Sequence, residues 1–166
     1  VKYAQRIFWI SIGTIAASLT YTTGLIYFSW LTAAGAARFF LPPYQDISYF
    51  IFFVGVRVWL PYLLSLAFSG IAFLGTKYLN RRFEERFFYP EERYLISLGV
   101  FFSVHPLWIA FLMLSGIFYL LYTLLKTFRA QSLVRNSFYY CWLPASLTTL
   151  LIAPYLPNSI VHTFKL

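Results

Sequence analysis

Charge is scarce in this chain and is almost absent from four long stretches of it. Charged residues make up 11% of the 166 residues, against roughly 25% in an average soluble domain. Apart from Arg57, they fall outside uncharged blocks at 7–37, 47–76, 94–125 and 136–161. Each block exceeds the ~20 apolar residues that a helix needs to cross the hydrocarbon core of a bilayer. The scarcity of charge therefore argues against an ordinary soluble domain and predicts an integral membrane protein.

Cysteine and histidine are nearly missing. The single cysteine, Cys141, permits neither an internal disulfide nor a CxxC metal or redox site. Because it lies inside an uncharged block, we interpret it as a small buried apolar side chain. Haem held between helices needs two axial ligands at one depth, whereas His105 lies inside a block and His162 lies in the C-terminal tail. We therefore expect neither a metal nor a cofactor.

Acidic residues are also few, and their placement argues against catalysis. Four of the five, Glu84, Glu85, Glu91 and Glu92, stand in one arginine-rich loop, where salt bridges and a helix start account for them. Asp46 is the only aspartate, so the two facing carboxylates of an aspartyl protease are excluded. The HExxH, P-loop, GxGxxG and GxSxG patterns are absent too. We expect no enzyme.

The apolar stretches show no alternation. A transmembrane β-strand alternates apolar and polar residues over ~10 positions, whereas residues 112–121 read LMLSGIFYLL. The chain is therefore predicted to be one all-α transmembrane domain, residues 1–166, built as a bundle of about four transmembrane helices. A charged loop at 77–93 joins the second and third helices. The tail from residue 154 is expected to lie along the membrane interface.

Prolines divide two of the blocks. Pro61 leaves two alternatives for the second block: one long tilted helix, or a half-helix at 47–60 followed by a spanning helix that has the proline in its first turn. Pro106 is predicted to kink the helix of the third block, because it removes one backbone hydrogen bond. Pro90, followed by two glutamates, predicts a new helix start.

Basic residues indicate an orientation and an anionic lipid. The N-terminus, the 77–93 loop and the tail carry eight Lys and Arg, and the 38–46 and 126–135 loops carry four. By the positive-inside rule, both termini are predicted to face the cytoplasm, or the matrix of a mitochondrion. The net charge is +8, and because the basic residues flank apolar blocks we expect lipid headgroups, not nucleic acid, as their partners. The predicted binding residues for anionic lipid, cardiolipin or similar, are Lys77, Arg81, Arg82, Arg86 and Arg93.

Small residues recur at helical spacing in the first two blocks. In a bilayer, such a face lets another helix backbone approach closely. The first block carries the predicted packing face Gly13, Ala17, Thr20, Gly24 and Gly35. The second block carries a similar face at Ser65, Ser69, Ala72 and Thr76.

Arg57 is the only charge inside a block. An intramembrane charge costs at least ~2.5 kcal/mol at the centre of the bilayer and normally has a partner, yet no block contains an acid. We predict that Arg57 contacts a carboxylate of another subunit or a lipid phosphate. The alternative is a place in an ion or proton pathway.

These features favour a non-catalytic integral membrane subunit of a larger complex, with other integral membrane subunits as partners. An energy-converting inner-membrane complex is the preferred setting. The mitochondrial inner membrane is favoured over the bacterial cytoplasmic membrane, because the chain begins at Val1, as after removal of a presequence, and arginine outnumbers lysine nine to four. The alternatives are a small oligomeric transporter or channel with Arg57 in its pathway, or a component of a bacterial secretion or transfer machine.

Overall fold

The computed structural model of the chain describes residues 2–33, 35–83, 88–130, 139–152 and Tyr155. Within them the chain forms helices and no β-strand. The α-helices are α1 (Lys2–Thr32), α2 (Ile47–Val54), α3 (Leu60–Arg82), α4 (Glu92–Phe102), α5 (Trp108–Ala130) and α6 (Tyr139–Ile152). A short 3₁₀ helix, Ala36–Phe40, follows α1.

Three helical stretches of the described chain are long and apolar enough to cross a membrane: Lys2–Thr32, Ile47–Arg82 and Trp108–Phe128. The 14 residues of α6 extend about 21 Å at ~1.5 Å per residue, less than the ~30 Å of a hydrocarbon core. The predicted all-helical architecture is confirmed and is compatible with a membrane protein. Four spanning helices are not established by these lengths, and the predicted interfacial tail lies outside the described residues except for Tyr155.

Pro61 does not break the second block. A π-helical turn at Gly55–Trp59 connects α2 to α3, so that Ile47–Arg82 is one continuous helix. In this turn the Leu60 N–H reaches the carbonyl of Gly55, one residue farther than in an α-helix. The widened turn accommodates the proline that follows, whose ring and missing N–H do not fit a regular turn. Of the two alternatives, the long helix is the one observed.

Small hydroxyl residues form the contact between α3 and α4. Ser65, Ser69 and Thr76, three members of the predicted small-residue face, are buried. The hydroxyl of Ser69 donates a hydrogen bond to the backbone carbonyl of Ser97 on α4, at 2.8 Å. Small side chains permit this close approach. The prediction that this face packs on a neighbouring helix is confirmed.

The start of α4 is built as the sequence predicts. The Tyr89 N–H donates to a carboxylate oxygen of Glu92 at 2.9 Å, which satisfies a backbone donor at the helix start. Asn80 of α3 holds the preceding segment: its side chain accepts from the Phe88 N–H at 2.9 Å and donates to the Phe88 carbonyl at 2.6 Å. The salt bridges predicted for this loop involve Glu84 and Glu85, which lie outside the described residues.

The third block is broken, and the predicted single kinked helix is wrong. After α4 ends at Phe102, residues 103–107 form a turn in which the Leu107 N–H donates to the Val104 carbonyl at 2.8 Å. Val104 has φ 41°, a left-handed conformation that β-branched residues rarely adopt. Pro106 makes a break possible here, because the residue before a proline, His105, is disfavoured in helical geometry. The chain therefore turns where a kink was expected.

Beyond the turn, α5 packs back along α4. The ring of Phe111 lies against Gly99, where an added Cβ would overlap it. Phe118, two turns farther along α5, packs on the same core as Phe88, which precedes α4. That core consists of Ile96, Val100, Phe111, Trp142 and Ala145, from α4, α5 and α6. The two helices thus form a hairpin.

The hairpin turn lies at the middle of the two long helices. Val104 and His105 border the same cavity as Leu19 of α1 and Leu64 of α3, and both positions are close to the midpoints of Lys2–Thr32 and Ile47–Arg82. Non-helical backbone at the depth of a bilayer core is tolerated only where protein or a cavity surrounds it. If Lys2–Thr32 and Ile47–Arg82 cross a membrane, we expect α4–α5 to be a re-entrant hairpin that enters and leaves on the side of the 77–93 loop.

A re-entrant hairpin would change the expected side of the end of α5. We expect a cysteine at Thr127, in a Cys141→Ala background, to be labelled from the same side as a cysteine at Lys2, and one at Tyr44 from the opposite side. This arrangement puts Lys126 on the same side as Lys2, Lys77 and Arg81, in agreement with the positive-inside rule. Labelling of residues 127 and 44 from the same side would contradict the re-entrant hairpin and support the four-crossing topology.

Gly99 provides a test of the hairpin contact. Gly99→Ala should destabilise the protein by roughly 1–3 kcal/mol, because the new methyl group meets the fully buried ring of Phe111. Gly116→Ala in α5 is the matched control: its Cβ meets nothing within 4 Å, so the better helix propensity of alanine should stabilise by up to about 1 kcal/mol. Unfolding in detergent measures both, and a Phe111→Leu background should reduce the Gly99→Ala penalty. Equal effects of the two alanines would contradict the contact.

Candidate functional site

Arg57 stands on the π-helical turn of the long helix. It lies eleven residues after Asp46 and twenty before Lys77, which is about 16 Å and 30 Å along the helix axis. Single π-turns inside α-helices occur frequently at functional sites. The indole N–H of Trp59 donates to the Thr23 hydroxyl at 3.1 Å and ties this turn to α1.

Arg57 and His105 line one cavity, although they are far apart in the sequence. The cavity has a volume of about 410 Å³ and lies between α1, the π-helical turn and the hairpin turn. Ser18, Leu19 and Thr22 form its α1 wall. The structure thus places on one cavity the only charge inside an uncharged block and the one histidine inside a block.

Trp108 orients the imidazole of His105. Its indole N–H donates to His105 Nδ1 at 3.2 Å, so a neutral imidazole carries its proton on Nε2. The Trp108 ring in turn stacks on Phe68 of α3, with 4.2 Å between ring centroids. The Phe68–Trp108 stack therefore holds the hairpin turn against the long helix, and the hydrogen bond from Trp108 sets the position of the imidazole.

The guanidinium of Arg57 has no hydrogen bond or ion pair with any described residue of the chain. Asp46, the acid nearest to it in the sequence, accepts instead from the Ser48 N–H at 3.2 Å, as the cap of α2. The predicted partner outside the chain stays a prediction. A guanidinium and an imidazole around one cavity can bind an anionic group through charge-assisted hydrogen bonds.

Metal chemistry has no candidate ligand set in the described ranges. There, no group of three or more His, Cys, Asp or Glu side chains is placed to hold a metal ion.

Three of the five predicted lipid-binding residues line a second cavity. Lys77 and Arg81 of α3 and Arg93 of α4 surround a volume of about 190 Å³, together with Thr76 and Asn80. We call this cavity the basic pocket. Of the other two, Arg82 is exposed and does not line the pocket, and Arg86 lies outside the described residues.

The predicted small-residue face of α1 points away from the rest of the described chain. Gly13, Ala17, Thr20 and Gly24 lie on α1 and are exposed, and a Cβ added at either glycine meets nothing within 4 Å. The prediction is wrong for Gly35, which lies beyond the end of α1 in extended backbone and is not part of this helical face. The side of α1 that does pack inward carries Ile12, Ile15, Leu19 and Ile26. Residues 13, 17, 20 and 24 lie on roughly the opposite side at ~100° per residue.

Two positioning contacts were missed by the sequence reasoning. The Asn80 clamp on Phe88 spans eight residues across a loop, and no local pattern indicates it. The Trp108–His105 bond could have been suspected, because the two residues are three apart and flank a proline. Comparisons with known protein families, with curated proteins and with solved structures find no match to this chain.

The Trp108–His105 bond can be measured with a double-mutant cycle. Trp108→Phe keeps a ring for Phe68 but removes the indole donor, and His105→Leu removes the acceptor. Each should cost about 1 kcal/mol of stability. The double variant should cost less than the sum, because the second change has no bond left to remove. Strict additivity of the unfolding free energies in detergent would show that the two side chains are not coupled.

Proposed function

We propose that this chain is a non-catalytic integral membrane subunit that assembles with other integral membrane chains. The observation that carries the proposal is the packing of α1. Among its 31 residues, Leu19 is the one that is buried within the described chain. A helix of this length that is so little covered by its own chain offers a long surface to other helices.

The outward face of α1 suits a protein neighbour. Helix association in lipid depends on close packing of backbones and on interhelical hydrogen bonds, and small residues permit both. Gly13 and Gly24 present bare backbone on that face, and the hydroxyl of Thr20 bonds within the helix to the Ala16 carbonyl at 2.9 Å. A neighbouring helix could therefore pack there without supplying a hydrogen-bond partner for the Thr20 hydroxyl.

Arg57 supports the same proposal. A guanidinium deep in an apolar stretch needs a countercharge, and no described residue of the chain supplies one. A carboxylate on a neighbouring subunit would supply it. As the setting we propose an energy-converting inner-membrane complex. We prefer the mitochondrial inner membrane because arginine outnumbers lysine nine to four.

A transporter or channel is the second candidate, and the Arg57–His105 cavity is the observation that favours it. Broken helices and cavities near the middle of the membrane form the substrate sites of many transporters. Arg57 would then select anions in a homo-oligomer. This function needs no foreign subunit, which separates it from the first.

Purification of the tagged chain from its own membrane in mild detergent tests the proposal. Wild type should come with a stoichiometric set of other membrane chains. Gly13→Leu/Gly24→Leu should lower their recovery roughly tenfold or more, because the added side chains block the close approach. Arg57→Leu should also weaken assembly, because it removes the charge that needs a partner.

The control is Leu25→Phe, which enlarges an exposed side chain on another side of α1 and should leave recovery unchanged. Equal recovery for the glycine double variant and wild type would overturn the α1 contact. A wild-type homo-oligomer without foreign chains would favour the transporter.

A further inference from the structure

An apolar groove precedes the basic pocket along α3. It has a volume of about 510 Å³ and runs between α1 and α3, with Phe8, Trp9, Leu66, Gly70, Phe73 and Tyr94 among its walls. Its size falls within the ~300–1,000 Å³ range of ligand sites. The two have no lining residue in common, but consecutive residues of α4 join them: Tyr94 lines the groove and Arg93 lines the pocket.

Tyr94 connects the groove to Arg93, a residue of the pocket wall. Its ring packs on Phe73 at 5.2 Å and on Phe8 at 6.2 Å between centroids, which forms the end of the groove. The guanidinium of Arg93 lies 5.9 Å from the centroid of the same ring. The Arg93 Nε–H donates to the Pro90 carbonyl at 2.8 Å, which holds the guanidinium at the pocket wall.

One face of α3 lines the groove and then the pocket. Leu66, Gly70 and Phe73 face the groove, and Lys77 and Arg81 continue the same spacing of three and four residues into the pocket. The groove part, from residue 66 to residue 77, is about 16 Å long. That length is about half of the ~30 Å hydrocarbon core, which is the depth of one lipid leaflet.

We propose that the basic pocket and the apolar groove form one binding site for an anionic phospholipid. The phosphate sits among Lys77, Arg81 and Arg93, and one acyl chain lies in the groove against Phe73 and Gly70. The site goes beyond the proposed subunit function and does not depend on it.

Charge and shape together identify the occupant. Three cations and no acidic side chain line the pocket among the described residues, which selects an anion and, at a membrane surface, an anionic lipid. A free phosphate would fill the pocket but leave the groove empty. A phospholipid has its phosphate next to its acyl chains, just as the basic pocket lies next to the apolar groove along α3.

Gly70 gives a way to fill the groove without disturbing the fold. A Cβ added there meets nothing within 4 Å, yet the residue lines the groove. Gly70→Leu would therefore occupy the volume of the acyl chain. Gly75 of the same helix is equally open and does not line the groove, so Gly75→Leu is the matched control.

Native mass spectrometry of the chain, purified in detergent with a mixture of phosphatidylglycerol, cardiolipin and phosphatidylcholine, tests the site. Wild type should retain an anionic lipid. Lys77→Gln/Arg81→Gln should weaken retention roughly 30-fold, and Gly70→Leu should abolish selective retention. Two controls should retain the lipid as wild type does: Arg82→Gln/Lys126→Gln, which removes the same charge outside the pocket, and Gly75→Leu. Circular dichroism checks that all variants are folded.

Two further arms distinguish the sources of the phosphate. Inorganic phosphate and dihexanoyl phosphatidylglycerol should compete poorly with the long-chain lipid, because neither fills the groove. Efficient displacement by inorganic phosphate would overturn the lipid site in favour of an anion pocket alone. Equal lipid retention by Gly70→Leu and Gly75→Leu, or by the two charge variants, would also overturn the proposal.

Discussion

The structure depends on covering one stretch of irregular backbone. Residues 103–107 turn the chain beside the midpoints of α1 and of the Ile47–Arg82 helix. In a bilayer core, no water satisfies the polar groups of such a turn, so protein must surround it or a cavity must lie beside it. The Phe68–Trp108 stack covers one side of the turn. The core of α4, α5 and α6 residues packs beneath it, and the cavity with Arg57 opens on its other side.

The basic residues fall into two environments with different physical consequences. Arg57 is a single charge far along an apolar helix, so a countercharge there would contribute strongly to assembly because both groups would be poorly hydrated. Lys77, Arg81 and Arg93 lie where α3 leaves its apolar stretch and α4 begins. There, water screens each charge, and attraction to an anionic surface comes from their number. The first environment favours one specific partner, and the second favours a class of lipid.

The long first helix has two sides that serve different contacts. Its inward side carries β-branched and bulky residues such as Ile12, Leu19 and Ile26, which fill space against the rest of the chain. Its outward side carries small residues, which leave the backbone accessible. Lipid tails are as apolar as leucine, so apolar character alone does not choose a helix partner in a membrane; shape does. The division of α1 into a bulky and a small side is consistent with a helix between its own chain and a neighbour.

The sequence by itself determined the helical class, the long apolar stretches and several local features, because these depend on composition and on residues a few positions apart. The helix start at Glu92 and the buried serines of α3 follow from capping chemistry and from the 3.6-residue period. The tertiary structure alone decided that Pro106 turns the chain, since a proline can kink or end a helix and only the packing around it selects between them. It also decided that Arg57 and His105 line one cavity, and that Lys77 and Arg81 line another with Arg93 but without Arg82. Each of these cavities is lined by residues of different helices. The spacing of residues along one helix does not show how that helix is rotated against another.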